Sequence, residues 1–276
     1  RQGDRPALSS PSREIWPDFR NHEFPVHQRN QMMLVFPFER LTFLCTPKCA
    51  STSVEEVYAP YAGVVLGGHP KLKHVDLSAY ERGFAPLTGE DLGSLETVCL
   101  VRDPMEHLKS WYRYSRRPDL KNRKWSQHGR TFEDFVEDFL DVDQGWTMKT
   151  QHEFVQDETG QIGVNRIFAL EHVDRFVDFM NERLGVRAGL PALNASAPAS
   201  TSIASGLEAD LRCRLAPDFA LHEAVLKAEE GWQNPLRKFE SRPAPKRGST
   251  AAMAVNRSRR QAKAAGSWFD FLRSKR

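Results

Sequence analysis

Short apolar runs and amphipathic stretches alternate along this chain, and their periods separate strands from helices. Leu41 to Thr46 is an apolar run of strand character that breaks at Pro47. After it, Val54, Val57, Tyr58 and Tyr61 recur at i, i+3, i+4 and i+7 and predict a helix ending near Pro60. Thr97 to Val101 is β-branched and apolar, as a buried parallel strand requires. Asp103 then makes a good N-cap, Pro104 suits the first helical position and Glu106 stands at capping-box spacing, so a helix is expected as far as Arg117. Phe132, Phe135, Val136, Phe139 and Leu140 fall on one face of a helix from Thr131 to Asp141. Asn165 to Leu170 reads as a further strand. The helix after it carries Val173, Phe176, Val177, Met180 and Leu184, and Gly185 closes it. Two more helices, 207–215 and 218–230, are expected on either side of Pro217. Met32 to Phe38 is either a short edge strand or the apolar approach to the first core strand.

Length and composition set the outer bounds. A chain of 276 residues with 40% hydrophobic positions fits one α/β domain with insertions, or one domain and a tail. No apolar run approaches the length of a membrane span, and the N-terminus lacks a signal-peptide core. The chain begins at Arg1 without a methionine, so a fragment of an anchored or secreted protein stays open. The formal charge of +3 is unevenly spread, because residues 241–276 hold ten of the 39 Lys and Arg but only one acid, Asp270. The body is therefore mildly acidic and the tail supplies the basic balance. Residues 1–31 read as an irregular arm, 32–232 as the folded domain, and 233–276 as a basic tail expected to be disordered. The tail's aromatic and cationic end, from Trp268 to Arg276, suits an acidic membrane surface or a partner, or is simply solvated. Cys45, Cys49, Cys99 and Cys213 show no metal-ligand spacing. Cys45 and Cys99 read as small core residues. Cys49, at a helix N-terminus, is either an activated thiol or a small residue in a tight loop.

The candidate chemistry sits where strands turn into helices. Strand, tight loop and helix N-terminus hold a phosphate-like anion, because free N–H groups and the helix dipole both face it. In Pro47-Lys48-Cys49-Ala50-Ser51-Thr52-Ser53, small side chains let an anion approach, hydroxyls add donors and Lys48 adds a mobile charge. The nucleotide-triphosphate pattern Gly-x4-Gly-Lys-Ser/Thr is absent. At the second turn, Arg102 ends a strand and Ser110 lies about two turns into the next helix, so a guanidinium fork and a hydroxyl could grip a terminal phosphate. The bland reading of the first loop is an ordinary turn with a solvated lysine.

Pro-Lys-x-Ala/Gly-Ser/Thr-Thr/Ser after a first strand resembles the 5′-phosphosulfate loop of sulfotransferases that use 3′-phosphoadenosine 5′-phosphosulfate. Arg102-Asp103-Pro104, with Ser110 and Tyr112, resembles their 3′-phosphate site. The similarity runs from about Leu41 to Leu226 and is closest to the carbohydrate-type group that includes uronosyl 2-O-sulfotransferases and their bacterial relatives. The resemblance implies a P-loop-like three-layer α/β fold with a central, mainly parallel sheet flanked by helices. It also implies sulfuryl transfer from that donor to a hydroxyl acceptor, most simply a sugar or glycan, with no metal.

On the same ground, residues 47–53, Arg102 and Ser110 would bind the donor, and Lys48 would also act in catalysis. A histidine between the two motifs would be the general base, with His74 preferred and His69 the rival; a surface histidine is the bland alternative for either. Asn194 and Ser196 match a late loop that closes over the nucleotide, and Lys149 and His152 stand where the family faces its acceptor. His107 replaces an arginine frequent in the family, which should alter helix-surface contacts more than donor binding. The basic segment Asp119 to Arg130 is either a solvated loop or a rim for an anionic or sugar acceptor, with Trp125 as a stacking platform. His22, His27, His128, His172 and His222 have no motif support and read as surface or packing residues.

Competing functions are a P-loop-like nucleotide kinase and a non-catalytic glycan- or nucleotide-binding relative. Nucleic acid is not expected as a partner, because the body is acidic and no recognised binding module is present. A bacterial chain of this kind would be cytoplasmic; a piece of an anchored protein would fit a Golgi lumen. Acceptor identity and oligomeric state are not written in these motifs.

Overall fold

A computed structural model of the chain describes residues 32–67, 72, 74–88, 95–141, 149–191 and 197–239. Six strands form one sheet: β1 (Met32–Phe36), β2 (Leu41–Phe43), β3 (Val64–Gly67), β4 (Glu96–Val101), β5 (Arg166–Ala169) and β6 (Trp232–Gln233). Their spatial order is β3-β1-β2-β4-β5-β6. The helices are α1 (Ser51–Tyr58), α2 (Leu77–Gly83), α3 (Pro104–Ser115), α4 (Phe132–Leu140), α5 (Gln151–Phe154), α6 (Val173–Leu184), α7 (Ser205–Arg214) and α8 (Ala216–Leu226).

The architecture is α/β, but the sheet is mixed rather than mainly parallel. β2 pairs parallel with β4, and β4 with β5, whereas β1 runs antiparallel to both β2 and β3, and β6 antiparallel to β5. The physical reason lies in the turn between β1 and β2. Only residues 37–40 separate the two strands, with Arg40 N–H bonded to the Pro37 carbonyl at 3.2 Å and Arg40 at φ 51. So short a link can join only antiparallel neighbours. Met32–Phe36 is thus an inner strand, not an edge strand, and β3 and β6 form the two edges of the sheet.

Alternation sorts the side chains into two layers. Met33, Val35, Cys99, Val101, Ile167 and Ala169 point to one face, where they meet Leu77 and Tyr80 of α2, Phe154 of α5, and Leu221 and Val225 of α8. Leu34, Phe36, Leu41, Phe43, Val98, Leu100 and Phe168 point to the other, against Val54 and Tyr58 of α1 and Phe176, Met180 and Leu184 of α6. A third cluster, without sheet residues, joins Met105, Leu108 and Tyr112 of α3 to Phe132, Phe135, Val136 and Phe139 of α4 and Leu211 of α7. The aromatic stripe of α4 is core, as its period predicts. α8 begins at Ala216 with Pro217 in its first turn; the proline opens that helix rather than separating two. Residues 232–239 stay attached: Asn234 donates to the Ile162 carbonyl at 2.7 Å, and Arg237 pairs with Asp157 at 2.7 Å and with Glu81. Among the described residues no helix is long and apolar enough to cross a membrane.

Candidate anion-binding site

Because β2, β4 and β5 run parallel, their carboxyl ends share one edge of the sheet, where ligands of open α/β sheets gather. Three connections meet there: residues 44–50 after β2, Arg102 and Asp103 after β4, and residues 170–172 after β5.

The first turn is unusual in its backbone. Lys48 (φ 60) and Ala50 (φ 55) are left-handed although neither is glycine, at a cost of about 1–2 kcal/mol each. Ala50 is the N-cap of α1 and makes no side-chain cap bond. The Ser53 and Val54 N–H groups bond the Ala50 carbonyl at 2.9 and 3.1 Å, so the first N–H groups of the helix have no intrahelical acceptor. A left-handed residue followed by a helical one turns successive N–H groups toward a common point, a concavity that accepts anions. Ser51 and Ser53 are buried and Thr52 half-buried beside it.

Three consecutive residues of this loop are each held by a different side chain. His107 Nε2–H donates to the Pro47 carbonyl at 3.0 Å, Arg102 Nη1–H donates to the Lys48 carbonyl at 3.4 Å, and Cys49 Sγ–H donates to Gln151 Oε1 at 3.3 Å. These tethers oppose the backbone cost. His107 is 6% exposed and faces the loop, which corrects the expectation of a helix-surface role. Burial pushes its pKa down to about 3, against the pull of the Pro47 carbonyl. The ring is therefore neutral, and because a carbonyl only accepts, its proton is on Nε2. Cys49 is fully buried, and burial pushes its thiol up despite Arg102 and Lys48 nearby; it is a hydrogen-bonding core residue, not an activated thiol. Cys45 and Cys99 are buried, as expected of small core residues, although Cys45 lies past the end of β2 and not within a strand; burial pushes Cys99 up to about 12.

Arg102 forms the second half. Its backbone N–H donates to Gln151 Oε1 and its carbonyl accepts from Gln151 Nε2, both at 2.9 Å. The guanidinium has no ion-pair partner among the described residues, and its Nε is buried without a hydrogen-bond acceptor. Such a cation at a strand end has the chemistry to accept an anion. Asp103 caps α3 by accepting the Glu106 N–H at 2.9 Å, while its own N–H donates to Glu171 Oε1 at 2.8 Å. Glu171 also bonds His222 Nε2 at 3.1 Å. Burial alone would raise the Glu171 carboxyl, but the bonds from His222 and the Asp103 N–H outweigh it and hold the pKa near 2. Ser110 is half-buried; three residues after His107 and four before Tyr114, it shares their face of α3. Lys48 Nζ lies 4.1 Å from the Tyr114 ring centroid and 5.7 Å from that of Trp111, which holds the ammonium by cation–π attraction.

His74 stands beside this loop, its Nδ1 donating to the Cys45 carbonyl at 2.6 Å. Because a carbonyl only accepts, the proton of a neutral His74 ring is on Nδ1. Two residues on, Asp76 caps α2 through the Ala79 N–H at 2.9 Å and pairs with Lys149 at 3.0 Å. A cleft of about 360 Å³, lined by Ser78, Arg82, Lys149, Glu153, Gln156, Asp157 and Glu158, opens on this side. The His152 ring is engaged with Gln156 at 3.2 Å. Trp125 stacks on Tyr114 at 6.1 Å and 11°.

The predicted residues Pro47, Lys48, Cys49 and Arg102 are thus brought together, with His74 bonded to the Cys45 carbonyl two residues before Pro47. Asn194, Ser196 and His69 lie outside the described residues. Sequence reasoning missed His107, Gln151, Glu171 and His222 as supports. Glu171 could have been found, since it follows a predicted strand at its carboxyl end; Gln151 and His222 act across long sequence separations and leave no local signal. Among the described residues no group of three or more His, Cys, Asp or Glu is placed to hold a metal ion. Comparison with family models, curated proteins and solved structures gave no match.

Proposed function

We propose that this chain is a sulfotransferase that moves a sulfuryl group from 3′-phosphoadenosine 5′-phosphosulfate to a hydroxyl of an acceptor, a carbohydrate, on a P-loop-like fold. The observation that carries the reading is the pairing of two anion sites on one sheet edge: an uncapped helix N-terminus behind Lys48, and an Arg102 guanidinium without a carboxylate, 3.4 Å from the Lys48 carbonyl. A nucleotide with phosphate at both ends of its ribose has the matching charge distribution. One phosphate alone would leave one of the two sites unfilled.

In this mechanism the loop N–H groups and Lys48 hold the 5′-phosphosulfate, while Arg102 and Ser110 take the 3′-phosphate. The acceptor oxygen attacks sulfur in line, the bond from sulfur to the bridging phosphate oxygen breaks, and the departing phosphate keeps the electron pair. Lys48 neutralises that charge. The acceptor proton passes to His74 Nε2. The ledge beyond Lys48 favours a ring-bearing, anionic acceptor: Trp125 is 46% exposed on top of Tyr114, and Lys121, Arg123 and Lys124 around it are exposed with no ion pair among the described residues. Transfer of labelled sulfuryl from the donor to a panel of neutral and acidic oligosaccharides tests the reading. Label should appear in at least one saccharide with the native chain and not with Lys48→Ala; equal transfer by both would refute it.

A further inference from the structure

Gln151 is 2% exposed, and the three hydrogen bonds of its side chain all go to Cys49 and Arg102. One amide takes the Arg102 N–H and the Cys49 thiol on its oxygen, at 2.9 and 3.3 Å, and gives an N–H to the Arg102 carbonyl at 2.9 Å. The Arg102 backbone is thereby gripped at both ends, as a neighbouring strand would grip it. The same oxygen is tied to the middle of the left-handed loop.

α5 places this side chain firmly. Thr150 caps it by accepting the Glu153 N–H at 3.2 Å, and Glu153 returns a bond to the Thr150 N–H at 2.8 Å. The His152 N–H is fixed by Asp218 Oδ1 at 3.0 Å. A helix of one turn held this way has little freedom to follow a moving ligand.

We infer that Gln151 is a positioning residue that makes the loop at Cys49 and the Arg102 ledge a single, mutually dependent binding unit. Because α5 holds the amide in place, the loop at Cys49 and the Arg102 backbone are fixed against the same side chain, and loss of that amide releases both. The claim rests on the two-phosphate reading of the site, and its test separates the two.

Calorimetric affinities for 3′-phosphoadenosine 5′-phosphate and for AMP are measured on the full chain and on Gln151→Met, Cys49→Ala and the double variant, with thermal midpoints as a folding control. Cys49→Ala leaves the clasp on Arg102 intact, so both nucleotides weaken together and their ratio holds. Gln151→Met lowers the ratio by about tenfold, the loss expected when a guanidinium leaves its phosphate. In the Gln151→Met background, Cys49→Ala has no further effect, a non-additivity that reports the shared link. Additive losses, or an unchanged ratio in Gln151→Met, overturn the inference and leave the two-phosphate reading standing. A native chain that does not distinguish the two nucleotides overturns the reading itself. If Gln151→Met does not fold, Cys49→Ala alone decides: native affinity for AMP would refute the link.

Discussion

Two strand-to-helix turns lie side by side on the carboxyl edge of the sheet, and they are built on opposite plans. After β4 the chain enters α3 at once. Asp103 caps the helix, Pro104 removes a donor, and Glu171 takes the Asp103 N–H. The backbone of that turn is fully satisfied, by Glu171 and Gln151 as well as by its own cap, and what it offers outward is one side chain, Arg102. After β2 the chain loops through residues 44–50, turns left-handed at Lys48 and Ala50, and enters α1 without a side-chain cap. Here neighbouring side chains pin the loop while the first N–H groups of the helix have neither a side-chain cap nor an intrahelical acceptor. The contrast teaches that a charged ligand can be met by a side chain on a satisfied backbone, or by a backbone held open by side chains.

The two plans should fail differently. The largest effect is expected at Lys48, the side-chain charge of this loop. Lys48→Ala should lower turnover by about 10²–10³-fold, the usual loss when one stabiliser of developing charge is removed, as read by labelled-donor transfer. Arg102→Ala should instead act on affinity. Binding of 3′-phosphoadenosine 5′-phosphate should weaken by roughly 10- to 100-fold while AMP is nearly unaffected, and parallel losses of both nucleotides would erase the distinction between the turns.

The loop's supports give a pH signature. His107 titrates near 3 in the folded chain because burial disfavours its charged form, whereas an unfolded histidine titrates near 6.5. Between those values the unfolded chain binds the extra proton. The stabilising effect is therefore complete above about pH 6.5 and is lost as pH falls toward 3, at up to about 1.4 kcal/mol per pH unit for one proton. Denaturant midpoints across that window should fall less steeply for His107→Gln than for the native chain; parallel curves would place the histidine outside the loop's support.

The smallest effect is expected at Ala50. Ala50→Gly removes the left-handed cost but frees the unfolded chain, so the net gain should be within about 1 kcal/mol. A marked loss would mean that the methyl group, not the backbone path, matters there.

Much of this site was legible because its chemistry is local. Pro47 to Ser53 and Arg102 to Pro104 carry their turn, cap and charge in adjacent residues, so their place between strand and helix could be read directly. Strand direction was less accessible. The alternation of Met33, Leu34, Val35 and Phe36 is the same for a parallel or an antiparallel strand, and only the short turn at 37–40 decides it. β6, two residues long, is too brief for any period to reveal. Gln151 and His222 owe their roles to partners far away in sequence, and a buried histidine at position 107 looks like any helix-surface residue until α3 is laid against the loop.

The most direct test of the central claim is calorimetric titration of the native chain with 3′-phosphoadenosine 5′-phosphate, with AMP as control. Both sites acting on one nucleotide predict tight binding of the first and little of the second. Equal binding, or none, would mean that the turns after β2 and β4 do not form one site and would contradict the sulfotransferase reading.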